Sequence, residues 1–241
     1  GGIMTGTGIN YRLGNSDLVV VEADEFDRSF LHLQPWAAAI TTIDEDHLDI
    51  YDGKDDLLET FNLFNKAVQG PTFTGTKLGN TTAIGTEGSH CWAEDITPAN
   101  GAYSFTLHMA GDNEATSLRM PGRHNIYNAL LAASLAHYAG ASVKDIAKAL
   151  ASFEGIKRRF EYHLEEPRVV IEDYAHHPTE IQALMDSMDE FYPNQKIALV
   201  FQPHLYSRTR DFMEGFKNQL SRAEKCYLLP IYPARELPIE G

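Results

Sequence analysis

Residues 17–51 read DLVVVEADEFDRSFLHLQPWAAAITTIDEDHLDIY, and two apolar runs within them, 18–21 and 37–43, decide the fold class. Both runs are short, partly β-branched and ended abruptly by acids, which is the pattern of strands buried on both faces of a parallel sheet. The first delivers Glu22, Asp24, Glu25 and Asp27 to its C-terminal end, and the second delivers Asp44, Glu45, Asp46, His47 and Asp49. Ligands of open α/β sheets bind beyond the carboxyl ends of the strands, so acids released there from neighbouring strands can share one hard cation. An oxygen-rich set with a single imidazole suits Mg²⁺ or Mn²⁺ better than Zn²⁺. On composition alone, acidic loops that simply face water are the competing reading.

A chain of 241 residues is long enough for two domains at roughly 150 residues each. It carries 34 Asp plus Glu against 20 Lys plus Arg, a balance that repels nucleic acid and anionic lipid. An anionic nucleotide would need a locally basic pocket, for which Lys157, Arg158, Arg159, Arg208 and Arg210 are the obvious suppliers. Cys91 and Cys226 have no CxxC spacing, which argues against a disulfide scaffold or a zinc site. No apolar run approaches the ~20 residues of a membrane span, and the first residues of the chain do not read as a basic-plus-apolar signal pattern. The expectation is a cytoplasmic protein without membrane insertion; its oligomeric state is not legible.

Further along, Leu57, Leu58, Phe61 and Phe64 predict a helix over 55–66, followed by a Gly- and Thr-rich loop over 67–80. Residues 81–120 read as short alternating strands, an antiparallel appendage in which Tyr103, Phe105 and Leu107 share a face. A helix ended by Gly140 comes next, and His124 and Asn128, four residues apart, project together near its start. An imidazole beside an amide suits an adenine ring, although His124 and Asn125 also suit helix capping. A core-packing helix over 143–153 leads into the cations 157–159, and 165–167 reads as a hinge. Strands at 169–172, 197–201 and 226–229 alternate with helices at 178–191 and 208–221, half of a doubly wound domain with a parallel sheet.

Several of these stretches resemble the Mur ligases, ATP-dependent amide ligases of peptidoglycan synthesis. EADEFD at 22–27 and DEDHLDIY at 44–51 are similar to the family's metal-binding segments, PGRHNIYNAL at 121–130 to its adenine-binding segment, and KRRF at 157–160 to its interdomain junction. IEDYAHHPTE at 171–180 and FQPHLYSRTRD at 201–211 look like the branch that joins L-alanine to UDP-N-acetylmuramate.

The resemblance implies an α/β chain with an incomplete central parallel-sheet ATPase-like domain over 1–162, bearing the antiparallel appendage. An incomplete Rossmann-like C-terminal domain would follow over 163–241. It further implies Glu22 and His47 as Mg²⁺ (or Mn²⁺) ligands, with Asp46 and Asp49 in support. ATP would be bound through His124, Asn125, Asn128, Arg159 and Asp173, and the alanine pocket would comprise Tyr174, His176, His204 and Arg208. His47, Arg159 and His176 would serve catalysis. Leu205 departs from the branch, which usually has arginine there, His177 has no assigned role, and Lys66 is a weak candidate for the carbamylated lysine of some members. The family places a P-loop upstream of the EADE segment, whereas G-x-x-x-x-G-K-[ST] occurs nowhere in these residues. The chain is therefore expected to be a piece of a longer enzyme and inactive alone. A metal-dependent phosphohydrolase or a non-catalytic nucleotide-binding module are the alternatives; the former would not need the adenine and alanine segments.

Overall fold

The computed structural model describes residues 2–43, 51–76, 78–99, 101–234 and 236–237. A parallel sheet of order β1-β2-β3 comprises β1 (Ala38–Ala39), β2 (Thr72–Thr74) and β3 (Thr82–Ala83). The run 37–43 thus holds a strand, prolonged by the Ile40 N–H donating to Phe73 O at 3.0 Å. β2 lies where the Gly- and Thr-rich composition predicts loop. All three of its residues are buried, so burial between β1 and β3 overrides the local turn signals.

The run 18–21 departs from expectation. It forms no strand, and Val19 and Val20 are 84% and 93% exposed. A parallel strand persists only through ladder bonds to neighbours, and no strand pairs with this run among the described residues. Among the described residues β1 is an edge of its sheet.

Helix α1 (Lys54–Ala67) covers the predicted span and buries Leu57, Phe61 and Phe64 with Phe30, Ala38 and Ile40. Phe30 comes from a 3₁₀ helix, Phe26–His32, that follows the acidic run. Arg28 in that helix fastens the segment to α1: its Nη2 reaches Asp56 Oδ2 at 2.5 Å and its guanidinium lies over the Tyr51 ring at 5.0 Å.

The appendage is a meander of β4 (Cys91–Ala99), β5 (Ala102–Met109) and β6 (Asp112–Leu118). Tyr103, Phe105 and Leu107 alternate into its buried face. Helix α2 (Arg123–Tyr138) packs on this face and on Phe73 of β2, joining the two sheets in one core. Gly140, at φ +97°, ends α2, and α3 (Val143–Ala151) starts at Ser142, whose Oγ accepts from the Asp145 N–H at 3.1 Å.

The last third begins with an antiparallel hairpin of β7 (Glu161–Leu164) and β8 (Val170–Glu172). Residues 165–167, expected as a hinge, belong to its turn. β8 correspondingly pairs with β7 and not with the parallel pair β9 (Ala198–Phe201) and β10 (Lys225–Leu228). Helix α4 (Pro178–Phe191) matches its predicted span. The helix expected over 208–221 is two, α5 (Tyr206–Asp211) and α6 (Met213–Leu220). Phe212, at φ −111°, breaks it while its ring packs edge-on against His177 at 4.5 Å. Ile181, Met185, Phe201 and Phe216 form a core between α4, α6 and β9. Glu190 of α4 ties this part to the meander side, accepting from the Tyr103 hydroxyl and pairing with Arg123 at 2.9 Å.

Candidate functional site

Two groups of side chains flank the β7–β8 hairpin. The first starts at α2. Gly122 precedes the helix at φ +101°, and a Cβ there would fall 2.4 Å from the His124 ring, so glycine is what lets that imidazole fold back over the helix start. The N-cap position of α2 is Gly122, which makes no side-chain cap bond, and the Asn125 amide donates to Pro121 O at 2.7 Å. The capping alternative for His124 and Asn125 therefore does not describe this helix. Asn125 and Asn128 line a cavity of about 620 Å³ together with Arg159, against apolar walls that include Met120, Ala129 and Phe153. Apolar walls whose polar lining is two amides, a guanidinium and the Asp145 carboxylate suit a flat heteroaromatic base.

Asp173 follows β8 directly and accepts two backbone bonds, from the Phe160 N–H at 2.8 Å and the Ala175 N–H at 2.7 Å. Burial raises its pKa, while these two donors and Arg159 act in the opposite direction. His124 retains solvent access, yet enough protein surrounds its ring for desolvation to lower its pKa; Asp173 opposes that shift and Arg159 adds to it. His124, Arg159 and Asp173 therefore lie within electrostatic reach of one another, although 49 positions separate the first from the last.

The second group lies at the same open end of the hairpin, where the Tyr174 N–H donates to Arg158 O at 2.7 Å. Tyr174 and His176 meet edge to face at 5.0 Å, and His176 and His204 at 6.1 Å. His176 is oriented through Nδ1, 2.8 Å from Tyr174 O and 3.3 Å from Glu180 Oε2. His204 stacks on Tyr232 at 5.4 Å, and its buried Nδ1 has no partner among the described residues. Desolvation, then His176 and Arg208, lower its pKa, which places Arg208 of α5 beside the same cluster. The chain turns from β9 into α5 at Leu205, which holds φ +69° and donates its N–H to Tyr232 O at 2.9 Å. A leucine at positive φ is an uncommon, strained turn residue, and here it sits between His204 and the helix carrying Arg208.

His177, to which the sequence assigns no place in the site, has a structural role. It is the N-cap of α4: its Nδ1 accepts from the Thr179 N–H at 3.3 Å, and Glu180 reaches back to the His177 N–H at 3.1 Å. The order His177-Pro178-Thr179-Glu180, with proline at the first helical position and glutamate at the third, is the signal that identifies it.

The expected metal ligands are placed less completely. Glu22 stands exposed after the unpaired run 18–21, and His47, with Asp46 and Asp49, lies outside the described residues. Lys66 is in the last turn of α1.

Residues 10–136 match the description "Mur ligase middle domain" and residues 158–239 match "Mur ligase, glutamate ligase domain". The chain belongs to the Mur ligase family. Within it, the chain is 47% identical to the UDP-N-acetylmuramate–L-alanine ligase of Christiangramia forsetii and 45% identical to the ligase of the same name from Flavobacterium psychrophilum. Each comparison covers all of this chain and 55% of the relative, so the chain spans about half the length of the curated relatives it matches. The crystal structure of a UDP-N-acetylmuramate–alanine ligase from Thermotoga maritima superposes with a TM-score of 0.77 at 26% identity, covering 95% of this chain and 59% of that one.

Proposed function

We propose that this chain is the part of a cytoplasmic ligase that holds adenine nucleotide and L-alanine, the whole enzyme joining L-alanine to the lactyl carboxylate of UDP-N-acetylmuramate with conversion of ATP to ADP and phosphate. The observation that carries this reading is the convergence of the two groups on the open end of one hairpin. Asn125, Asn128 and Arg159 share a cavity next to His124 and Asp173, and Tyr174, His176, His204 and Arg208 cluster immediately after Asp173. Residues 1–162 supply most of the nucleotide side and 163–241 the amino-acid side, with Asp173 reaching back across the division.

In this reading the γ-phosphoryl group passes to a carboxylate oxygen of the sugar nucleotide and ADP leaves. The alanine nitrogen then bonds to the activated acyl carbon, phosphate departs, and the nitrogen loses a proton. Such chemistry depends on positioning and charge stabilisation more than on a protein nucleophile. Mg²⁺ or Mn²⁺, when bound, neutralises phosphate oxygens; Glu22 and His47 are the residues we assign to it. Arg159 meets the charge on the transferred group, and Asp173 orients the ribose. The His124 ring and the Asn128 amide meet the base. Desolvation favours neutral His124 and His204, which suits an imidazole that stacks or accepts a hydrogen bond. The guanidinium of Arg208 matches the alanine carboxylate, and His176 is the residue we assign to take the amine proton.

The test is phosphate release by the full-length protein that contains this chain, assayed with ATP, UDP-N-acetylmuramate and each of alanine, glycine and serine. Release that requires both the sugar nucleotide and alanine supports the assignment. Release independent of any amino acid would mean a phosphohydrolase instead.

A further inference from the structure

On the β7–β8 hairpin, beside Arg159 and Asp173 in the chain but with no role assigned above, Glu161, His163 and Glu172 present ligand atoms that all lie within 4.8 Å of one another. The backbone explains the grouping. Glu161 and His163 are two residues apart on one strand, and Glu172 is the direct cross-strand partner of Glu161. The ladder shifts register between Tyr162 and Leu164, so His163 is the bulge residue of its strand. His163 Nε2 stands 2.8 Å from Glu172 Oε2.

Two like charges directly opposite each other in an antiparallel pair are unfavourable and need a cation. Arg158 supplies part of it from one side. Its Nε lies 3.3 Å from Glu172 Oε1, and its N–H donates to Glu161 Oε2 at 2.8 Å. That engages one oxygen of each carboxylate, as outer partners of metal ligands do; the second oxygen of Glu172 faces His163 Nε2, and an ion entering between them takes the place of that contact. His163 contributes an imidazole nitrogen to the same space, which separates this cluster from the acid-only patches elsewhere on an acidic chain.

We propose that Glu161, His163 and Glu172 form a binding site for a divalent transition-metal ion of the Zn²⁺ type, distinct from the Mg²⁺ site assigned to Glu22 and His47. One imidazole with two carboxylates is a donor set that zinc accepts at about 2.0–2.2 Å per bond, and solvent can complete the coordination. The side chains are partly exposed, so small rotations bring the wider separations to bonding distance. Borderline nitrogen chemistry favours Zn²⁺ over Mn²⁺, and Mg²⁺ is the poorest match. The ion would brace the hairpin whose flanks are Arg159 and Asp173. Any effect of that brace on nucleotide rests on the function proposed above, whereas capture of the metal does not.

The test is titration of the 241-residue chain with Zn²⁺, Mn²⁺ and Mg²⁺ in competition with a chromophoric chelator, with thermal unfolding followed in parallel. The same titrations are run on His163→Asn and Glu161→Gln, both surface changes, and on Glu22→Gln as the control for the other site. The expected result is one Zn²⁺ equivalent taken up ahead of Mn²⁺ and Mg²⁺, retained in Glu22→Gln. In either hairpin variant it should weaken by more than about tenfold, since loss of an outer partner alone costs 10–100-fold in metal affinity. Zinc should raise the melting temperature of the parent and not of His163→Asn. Zinc uptake that is equal in parent and His163→Asn, or no preference for zinc over magnesium, would overturn the proposal.

Discussion

The backbone N–H of Phe160 donates to Asp173 Oδ2 at 2.8 Å, locking the residue before β7 to the residue after β8. The other carboxylate oxygen holds the Ala175 N–H at 2.7 Å, so one side chain closes the hairpin base and starts the loop that carries Tyr174 and His176. Replacing Asp173 with alanine should cost about 2–6 kcal/mol, because two backbone donors in a partly buried site lose their acceptor at roughly 1–3 kcal/mol each. Asp173→Asn keeps one acceptor oxygen and should cost about half as much. Urea unfolding of the three proteins gives the ranking.

The electrostatic triangle of His124, Arg159 and Asp173 makes a signed prediction. Arg159 lowers the His124 pKa and Asp173 raises it. In an NMR titration of the His124 ring protons, Arg159→Ala should move the midpoint up and Asp173→Asn should move it down. Midpoints unchanged in both variants would mean the three groups are not neighbours.

Stability should fall on mild acidification for a specific reason. Desolvation lowers the folded-state pKa of His90, His124 and His204 below the usual 6.5. The unfolded chain therefore binds more protons in this range, so the stability these groups contribute is present above about pH 6.5 and is lost as pH falls through their folded values. Asp173 has the opposite sign: its raised pKa favours the folded state at lower pH, and that contribution is lost as pH rises through its folded value. Melting temperatures between pH 7.5 and 5 should decline, and the decline should be shallower in His204→Gln.

Tyr103 tests how the two halves are joined. Its ring is fully buried and meets Phe191 edge-on at 4.9 Å, and its hydroxyl reaches Glu190. Tyr103→Phe should cost about 1.5–3 kcal/mol for the lost hydrogen bond to the Glu190 carboxylate. Tyr103→Ala should cost about 3–5 kcal/mol because it also opens a cavity in the core. Equal losses by chemical denaturation would show that packing at this position matters less than the polar contact.

Local sequence rules made the helices and the meander legible, because their information is local. Leu57, Phe61 and Phe64 recur at helical spacing, and Tyr103, Phe105 and Leu107 alternate on one strand. Parallel pairing is not local. Residues 18–21 have the composition of a buried strand but no ladder partner among the described residues, whereas Thr72–Thr74 looks like loop and gains its strand from β1 and β3. The hairpin turn at 165–167 was likewise hidden, because a Glu-Glu-Pro step suits a turn and a linker equally. For the site, the family resemblance supplied residues that spacing alone does not bring together, such as His124 and Asp173. It gave no hint of the Glu161–His163–Glu172 cluster, which needs the register of β7 on β8 to be seen at all.

The central claim is that His124, Asn128, Arg159 and Asp173 make one adenine-nucleotide site. The most direct measurement is titration of the chain with ADP while the His124 ring and Asn128 side-chain amide resonances are followed. The account predicts saturable shifts of both, lost in Asn128→Ala, with no alanine-dependent phosphate release when ATP is supplied, since these residues include no P-loop motif. ADP binding that leaves both resonances unmoved, or that survives Asn128→Ala at full strength, would contradict it.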